Sequence, residues 1–180
     1  MHHDISAIPN TSGLPLASRD AEGQHCIEQL RGDPSLSAML DHANMRALMQ
    51  SAAGNAPFLA RLMLKHPTQL LSIGTHGFDS TWNDLMTQMH ATDTSSLDTA
   101  GMMLVLRQLK ARVALTTALA DIACIWNLAT VTRALSEFAG AAVSLTLRHL
   151  LAHAERHGEL ALTDKNQPEM ASGIIILSKG

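Results

Sequence analysis

Tyrosine is absent from this chain of 180 residues, and aromatic side chains make up only 3% of it, as two Trp and three Phe. Sheets are built largely from aromatic and β-branched residues, so this scarcity argues against a β-rich fold. Charge is sparse too, at 16%, with a formal net of −3 and a sequence pI near 6.3. A general nucleic-acid coat needs a basic surplus to displace counterions, and there is none. The two cysteines, Cys26 and Cys124, lie far apart and form no CxxC pair, which suits a reducing compartment. Cys124 is expected as a small residue in a helix core. No apolar run reaches the roughly 18–20 residues that span a bilayer. The opening MHHDISAIPNTSGLPLASRD has neither the basic n-region nor the apolar h-region of a signal peptide, so a cytoplasmic location is expected. No GxSxG nucleophile motif and no Walker A loop occurs.

What is abundant points one way. Apolar residues reach 46%, mainly Leu, Ala and ten Met, which favour helices, and the composition is that of a folding chain. At this length one core is expected, with room for a small second unit. Residues 1–23 hold Pro9, Gly13, Pro15 and Gly23 among polar residues and read as a flexible or loosely docked arm. A short helix is expected over 26–30. Ser35 then reads as the N-cap of a helix running to about Ala53. Asn55-Ala56-Pro57 has the chemistry of a helix start, and His66-Pro67 that of a helix end or kink. A further break is expected over 75–77, followed by a helix over 80–89.

Two long helices should dominate the rest, over about 97–125 and 128–156. Leu115, Leu119, Ile122 and Trp126 fall on one stripe of the first. Leu128, Val131, Leu135, Phe138, Ala142 and Leu145 alternate by three and four in the second, the seam spacing of packed helices. The short break near Asn127 favours an antiparallel hairpin. Gly158 is a C-cap candidate. The segment TDKNQPEMAS (163–172) reads as a surface loop. After it the period changes, and Ile174-Ile175-Ile176-Leu177 is an unbroken β-branched run that fits one short strand buried on both faces. The expected fold is therefore mainly α, a helical region over 24–158, with a polar loop and first strand over 159–180. A lone buried strand needs neighbours, and nothing else in the chain reads as one.

Three constellations could carry chemistry. His149, His153 and His157 recur every four residues, with Glu155 nearby, and histidines so spaced can share a zinc. HLLAHAERH lacks the HExxH glutamate, however, and the spacing fits better a solvated flank beside core positions Leu150-Leu151. Arg107, Lys110 and Arg112 form a small basic cluster, either for a phosphate or partner or as a solvated face with its stems over the hairpin. Asp121, among apolar neighbours, is expected to pair with a base such as Arg133 rather than to act in catalysis. The methionines read as adaptable core.

The order of three segments carries more. NAPFLARLMLKHPTQLL, then LRQLKARVALTTALADIACIWNLATVTRALSEFAGAAVSLTLRHLLAHAERHGEL, then SGIIILSKG, resembles the bacterial glutamine synthetase adenylyltransferase/adenylyl-removing enzyme family. That family carries an "LR…KR…AL.DLAG…L..VT..LS..A" pattern in a helical amino-terminal region. A polar loop then leads to a hydrophobic strand and a GMGK(L/M)G turn. The likeness covers roughly residues 43–180; residues 1–42 lie outside it.

The resemblance implies a nucleotidyltransferase of the polymerase-β type. Such an enzyme adds AMP from ATP to a tyrosine of glutamine synthetase and removes it by phosphorolysis. It implies Mg2+ and ATP as cofactors, with paired aspartates clamping the transferring phosphate through two metal ions. Glutamine synthetase and a PII-type signalling protein are the implied partners, with no nucleic acid and no membrane. Gly180 aligns with the last glycine of the family's turn, at the edge of a phosphate loop, while Ser178 and Lys179 depart from its Gly or Ala and Met. The family's aspartates follow that turn, so no catalytic carboxylate and no metal ligand carries over to this sequence. The chain alone is expected to be inactive. Two other readings stand beside this one: a non-catalytic helical module that binds glutamine synthetase or a PII-type regulator, and a zinc-binding bundle using the three histidines.

Overall fold

Prolines and short capping side chains set most of the helix boundaries. A computed structural model describes residues 13–94, 96–164, 168–169, 172–174 and 176. Among them the chain forms seven helices: α1 (Asp20–Arg31), α2 (Pro34–Asp41), α3 (Ala43–Asn55), α4 (Pro57–Lys65), α5 (Pro67–His90), α6 (Thr99–Ile122) and α7 (Leu128–Arg156). Pro34, Pro57 and Pro67 each stand in a first turn, where a missing N–H costs nothing. Asp33, Asp98 and Asn127 cap α2, α6 and α7, accepting from the N–H groups of Ser35 (2.9 Å), Gly101 (2.7 Å) and Thr130 (2.9 Å).

Several local expectations are corrected. The helix expected over 26–30 begins at Asp20, and Gly23 lies inside it rather than in a loop. A Cβ on Gly23 would stand 2.7 Å from the Gln50 carbonyl oxygen, so glycine here lets α1 close onto α3. The single helix expected from Ser35 is two, parted at the extended residue His42. Arg46 donates to the Leu40 carbonyl at 3.1 Å, satisfying the end of α2. The break lets Leu36 and Leu40 reach one core together with Met45, Leu48 and Met49, all fully buried. Asn55 does not cap α4. Its side chain instead fastens the segment before α1, donating to the Leu16 carbonyl (2.9 Å) and accepting from the Ser18 N–H (3.0 Å).

The break expected near Gly77 is a kink inside α5. Gly77 adopts φ 80°, ψ 174°, a region almost closed to other residues. α6 is shorter than the expected 97–125, α7 spans the expected 128–156, and the two are joined through 123–127 and pack on one another. The link is a left-handed cap at Cys124 (φ 54°). Its N–H reaches the Asp121 carbonyl at 2.9 Å and that of Ile125 reaches Ala120 at 3.0 Å, a Schellman arrangement. Cys124 is therefore exposed, not a core residue, because the αL position turns it outward. Gly158 (φ 72°) repeats this cap after α7.

The core gathers the methionines and leucines of α1–α6 with the inner face of α7. Leu115, Leu119 and Trp126 are buried as their stripe implies. The α7 seam divides: Val131, Phe138, Ala142 and Leu145 face the core, whereas Leu128 and Leu135 are exposed. Among the described residues there is no strand. Ile174 and Ile176 are 49% and 53% exposed, so they are not buried on two faces. Without a neighbouring strand, such a segment has no ladder to join. Ile175, Leu177 and Gly180 lie outside the described residues. No described helix is long and apolar enough to cross a membrane.

Candidate functional site

Residues from α5, α6 and α7 supply nearly all of the buried polar contacts. Gln69, only 1% exposed on α5, donates to the Thr116 hydroxyl of α6 at 2.9 Å and accepts from Arg112 Nε at 2.8 Å. Arg112 Nη1 then donates to Gln88 Oε1 at 2.7 Å. Burial pushes the Arg112 guanidinium down from its ordinary value, and carbonyl acceptors rather than a carboxylate hold it. Asp79, just past the Gly77 kink, accepts from the Trp126 indole at 2.7 Å, and Trp126 meets Trp82 edge to face at 6.0 Å. This network ties both halves of α5 to α6 and to the α6–α7 link. It contains no nucleophile–base pair.

The second feature is the junction between α7 and the chain beyond it. Arg148 donates from Nε to both Glu169 oxygens, at 3.1 and 3.2 Å, and from Nη2 to Oε1. The forked geometry is the strong form of this pair. The Arg148 hydrogen bond holds the Glu169 carboxyl below its ordinary range, and that same bond raises the Arg148 guanidinium. Pro168 is buried beside it. Ser172 Oγ donates to the Glu169 carbonyl at 3.0 Å, and Ile174 N–H donates to Ser172 Oγ at 3.2 Å. The pair lies between two open spaces. One, about 480 Å³, is lined by Met86, Met89, His90 and Glu137. The other, about 650 Å³, runs along Gly140, Val143 and Leu147 to Ile174 and Ile176. The arrangement anchors the chain beyond α7 by charge; on its own it does no bond chemistry.

The three histidines do not converge. His149 is not on a solvated flank but is 1% exposed, with Nδ1 donating to the Thr94 carbonyl at 3.2 Å and Nε2 unpartnered in the interior. His153 and His157 stack at 4.2 Å, and His157 Nδ1 donates to the His153 carbonyl at 2.8 Å. Leu150, expected in the core, is 52% exposed, while Leu151 is buried. The basic cluster also divides: Arg107 and Lys110 are exposed on α6, and Arg112 turns inward. Asp121 is exposed and is not joined to Arg133, because the α6 cap carries it to the surface. Among the described residues no three His, Cys, Asp or Glu side chains stand where they could hold a metal ion, so these residues do not fit a magnesium pair. Gly180 lies outside them.

Sequence reasoning missed Gln69, Asp79, Arg148 and Glu169. Gln69 has a faint signal, a polar residue directly before Leu70 in a run that becomes core. Arg148 stands out in LTLRHLL as a lone charge between leucines. Glu169 has none, since only folding brings it back 21 residues to α7.

Comparison with known proteins points to one family. The family model described as glutamate-ammonia ligase adenylyltransferase matches residues 46–180. Three curated relatives share one name, bifunctional glutamine synthetase adenylyltransferase/adenylyl-removing enzyme. The protein of Rhodopseudomonas palustris (strain HaA2) is 31% identical over 175 residues, covering 94% of this chain and 18% of its own length. That of Xanthobacter autotrophicus is 33% identical over 147 residues, covering 81% and 15%. That of Bradyrhizobium diazoefficiens is 27% identical over 195 aligned positions, covering 100% and 20%. The chain thus spans a fifth or less of the length of these relatives. No solved structure matches it.

Proposed function

Because this chain belongs to the glutamate-ammonia ligase adenylyltransferase family, we propose that it is the helical amino-terminal part of an enzyme that regulates glutamine synthetase by adding and removing AMP. The observation that carries this reading is the reach of the match. Residues 46–180 take in most of α3, all of α4–α7 and the Arg148–Glu169 junction. The helical block and the segment it anchors therefore fall within a single family match. In this reading α5–α7 form a rigid support, fixed inside by Gln69, Arg112 and Asp79. Arg148 and Glu169 set where the chain leaves α7 toward the family's strand and phosphate turn, with Gly180 at the edge of that turn.

Magnesium and ATP belong to this proposal through the family alone, since the described residues supply no metal site. The chain contributes no catalytic carboxylate and is inactive by itself, with glutamine synthetase as the target and a PII-type protein as regulator. Two preparations test this: the chain alone, and a chimera in which it replaces the matching segment of the Rhodopseudomonas palustris relative. Each is incubated with adenylylated glutamine synthetase, phosphate and magnesium. Expected is AMP removal by the chimera and none by the chain. A well-folded chimera without activity would leave the non-catalytic module as the better reading; activity of the chain alone would overturn the claim of inactivity.

A further inference from the structure

The wedge between α1 and α4 is only partly filled. Gly23 lets α1 close onto α3, and Gly54 does the same for the segment before α1, where a Cβ would stand 2.6 Å from Ala17 Cβ. With α1 held this close to α3, its outer flank faces α4 across Ala21, Ala53, Pro57 and Ala60. Side chains this small cannot interdigitate as those of a packed core do. They leave a cleft of about 450 Å³, open to solvent and within the size range of small-molecule sites.

The bed of the cleft is apolar. Cys26, 3% exposed, lies at its bottom, and Leu64, 39% exposed, at its mouth. Burial pushes the Cys26 thiol up, so it stays protonated and acts as a small apolar group. The rim carries Arg19, Arg61 and Glu22. His25 is there too, but its ring turns to Glu28 at 3.9 Å. The Arg19 backbone serves the start of α1, its N–H reaching the Gly54 carbonyl at 3.1 Å and its carbonyl accepting from Gly23. Its guanidinium has no hydrogen bond or ion pair among the described residues, and the same holds for the side chains of Arg61 and Glu22. Two free cations against one free carboxylate leave a surplus of positive charge beside an apolar bed. A guanidinium is also the side chain best shaped to fork onto a carboxylate.

We propose that this cleft binds a medium-chain carboxylic acid, its tail of about eight to twelve carbons on the Cys26–Leu64 bed and its carboxylate on Arg19 and Arg61. A cationic amphiphile of the same length would repeat the charge of the rim. The site is independent of the regulatory role proposed above, because α1, which forms one wall, lies outside the matched residues 46–180.

Titration of the 180-residue chain with sodium decanoate, followed by 1H–15N chemical shifts, tests the proposal. Saturable binding is expected by about 1 mM, with the shifts centred on Cys26, Ala53, Ala60 and Leu64. Octanoate should bind about tenfold more weakly, since each buried CH2 is worth roughly three- to fourfold. Decyltrimethylammonium at the same concentrations should give no saturable shift at these residues. Arg19→Gln combined with Arg61→Gln should weaken decanoate binding by about tenfold or more. Both positions are exposed, so the melting of this double variant should match the parent chain. No decanoate binding by about 1 mM, equal binding of the ammonium amphiphile, shifts centred elsewhere, or undiminished affinity in the folded double variant would each overturn the proposal. Occupation of the cleft by a second copy, seen as the same residues shifting when the chain alone is diluted, counts against it equally.

Discussion

Cys124 holds a backbone conformation that costs an L-residue about 1–2 kcal/mol and a glycine almost nothing. Cys124→Gly should therefore stabilise the chain by about 1 kcal/mol in denaturant melts, even after the added flexibility of the unfolded chain is counted. Gln69→Leu should act oppositely. It keeps the volume but strips Arg112 Nε of its acceptor, at a cost of about 1–3 kcal/mol. Acid should act through Glu169 and His66. The Glu169 carboxyl lies below its ordinary 4.5, so the stability it adds is complete above that value and fades as the pH falls through the lowered one. His66 is lowered from 6.5, first by burial and then by Lys65 and Arg112, so it favours the fold when neutral and loses that contribution on acidification. Both signs agree. Hydrogen exchange measured as pH falls below about 4.5 should show the Ile174 N–H released before α5–α6. In the sequence Cys124 stood out as a core residue, His66 as a helix end and Arg112 as one of a basic cluster, whereas Gln69 and Glu169 gave no such signal. The contacts of Gln69, Arg112 and Glu169 join residues 21 to 47 positions apart, a distance over which periodicity carries no information.

Helix boundaries were the most legible level, because proline, glycine and capping chemistry act locally. Pro57, Pro67, Asn127, Gly77 and Gly158 all mark places where the backbone changes course. Gly77→Ala should cost about 1–3 kcal/mol, since φ 80°, ψ 174° is closed to a Cβ, and the loss should appear as a lower unfolding midpoint. The failures came where tertiary packing decides. Nothing local divides α2 from α3 at His42; that break lets two runs of core residues reach the same interior. Gly23 resembles loop punctuation until α3 is seen pressed against it. The α7 seam divided because a long helix can carry apolar residues on two faces, and spacing alone does not say which faces inward.

Across the whole molecule, composition set the class correctly: few aromatics and little charge gave helices filled by Met and Leu. The strand expected at the C-terminal run did not follow among the described residues, because strand character there depends on neighbours rather than on Ile content. In the function proposed above, the helical block is a support rather than a catalyst. Saturating zinc should accordingly leave the melting temperature unchanged, as His149 is committed to Thr94 inside the core. The most direct measurement is AMP release from adenylylated glutamine synthetase, made side by side on the chain and on the Rhodopseudomonas palustris chimera that carries it. Release from the chimera and none from the chain is the expected result. Release from the chain alone, or none from a folded chimera, would contradict it.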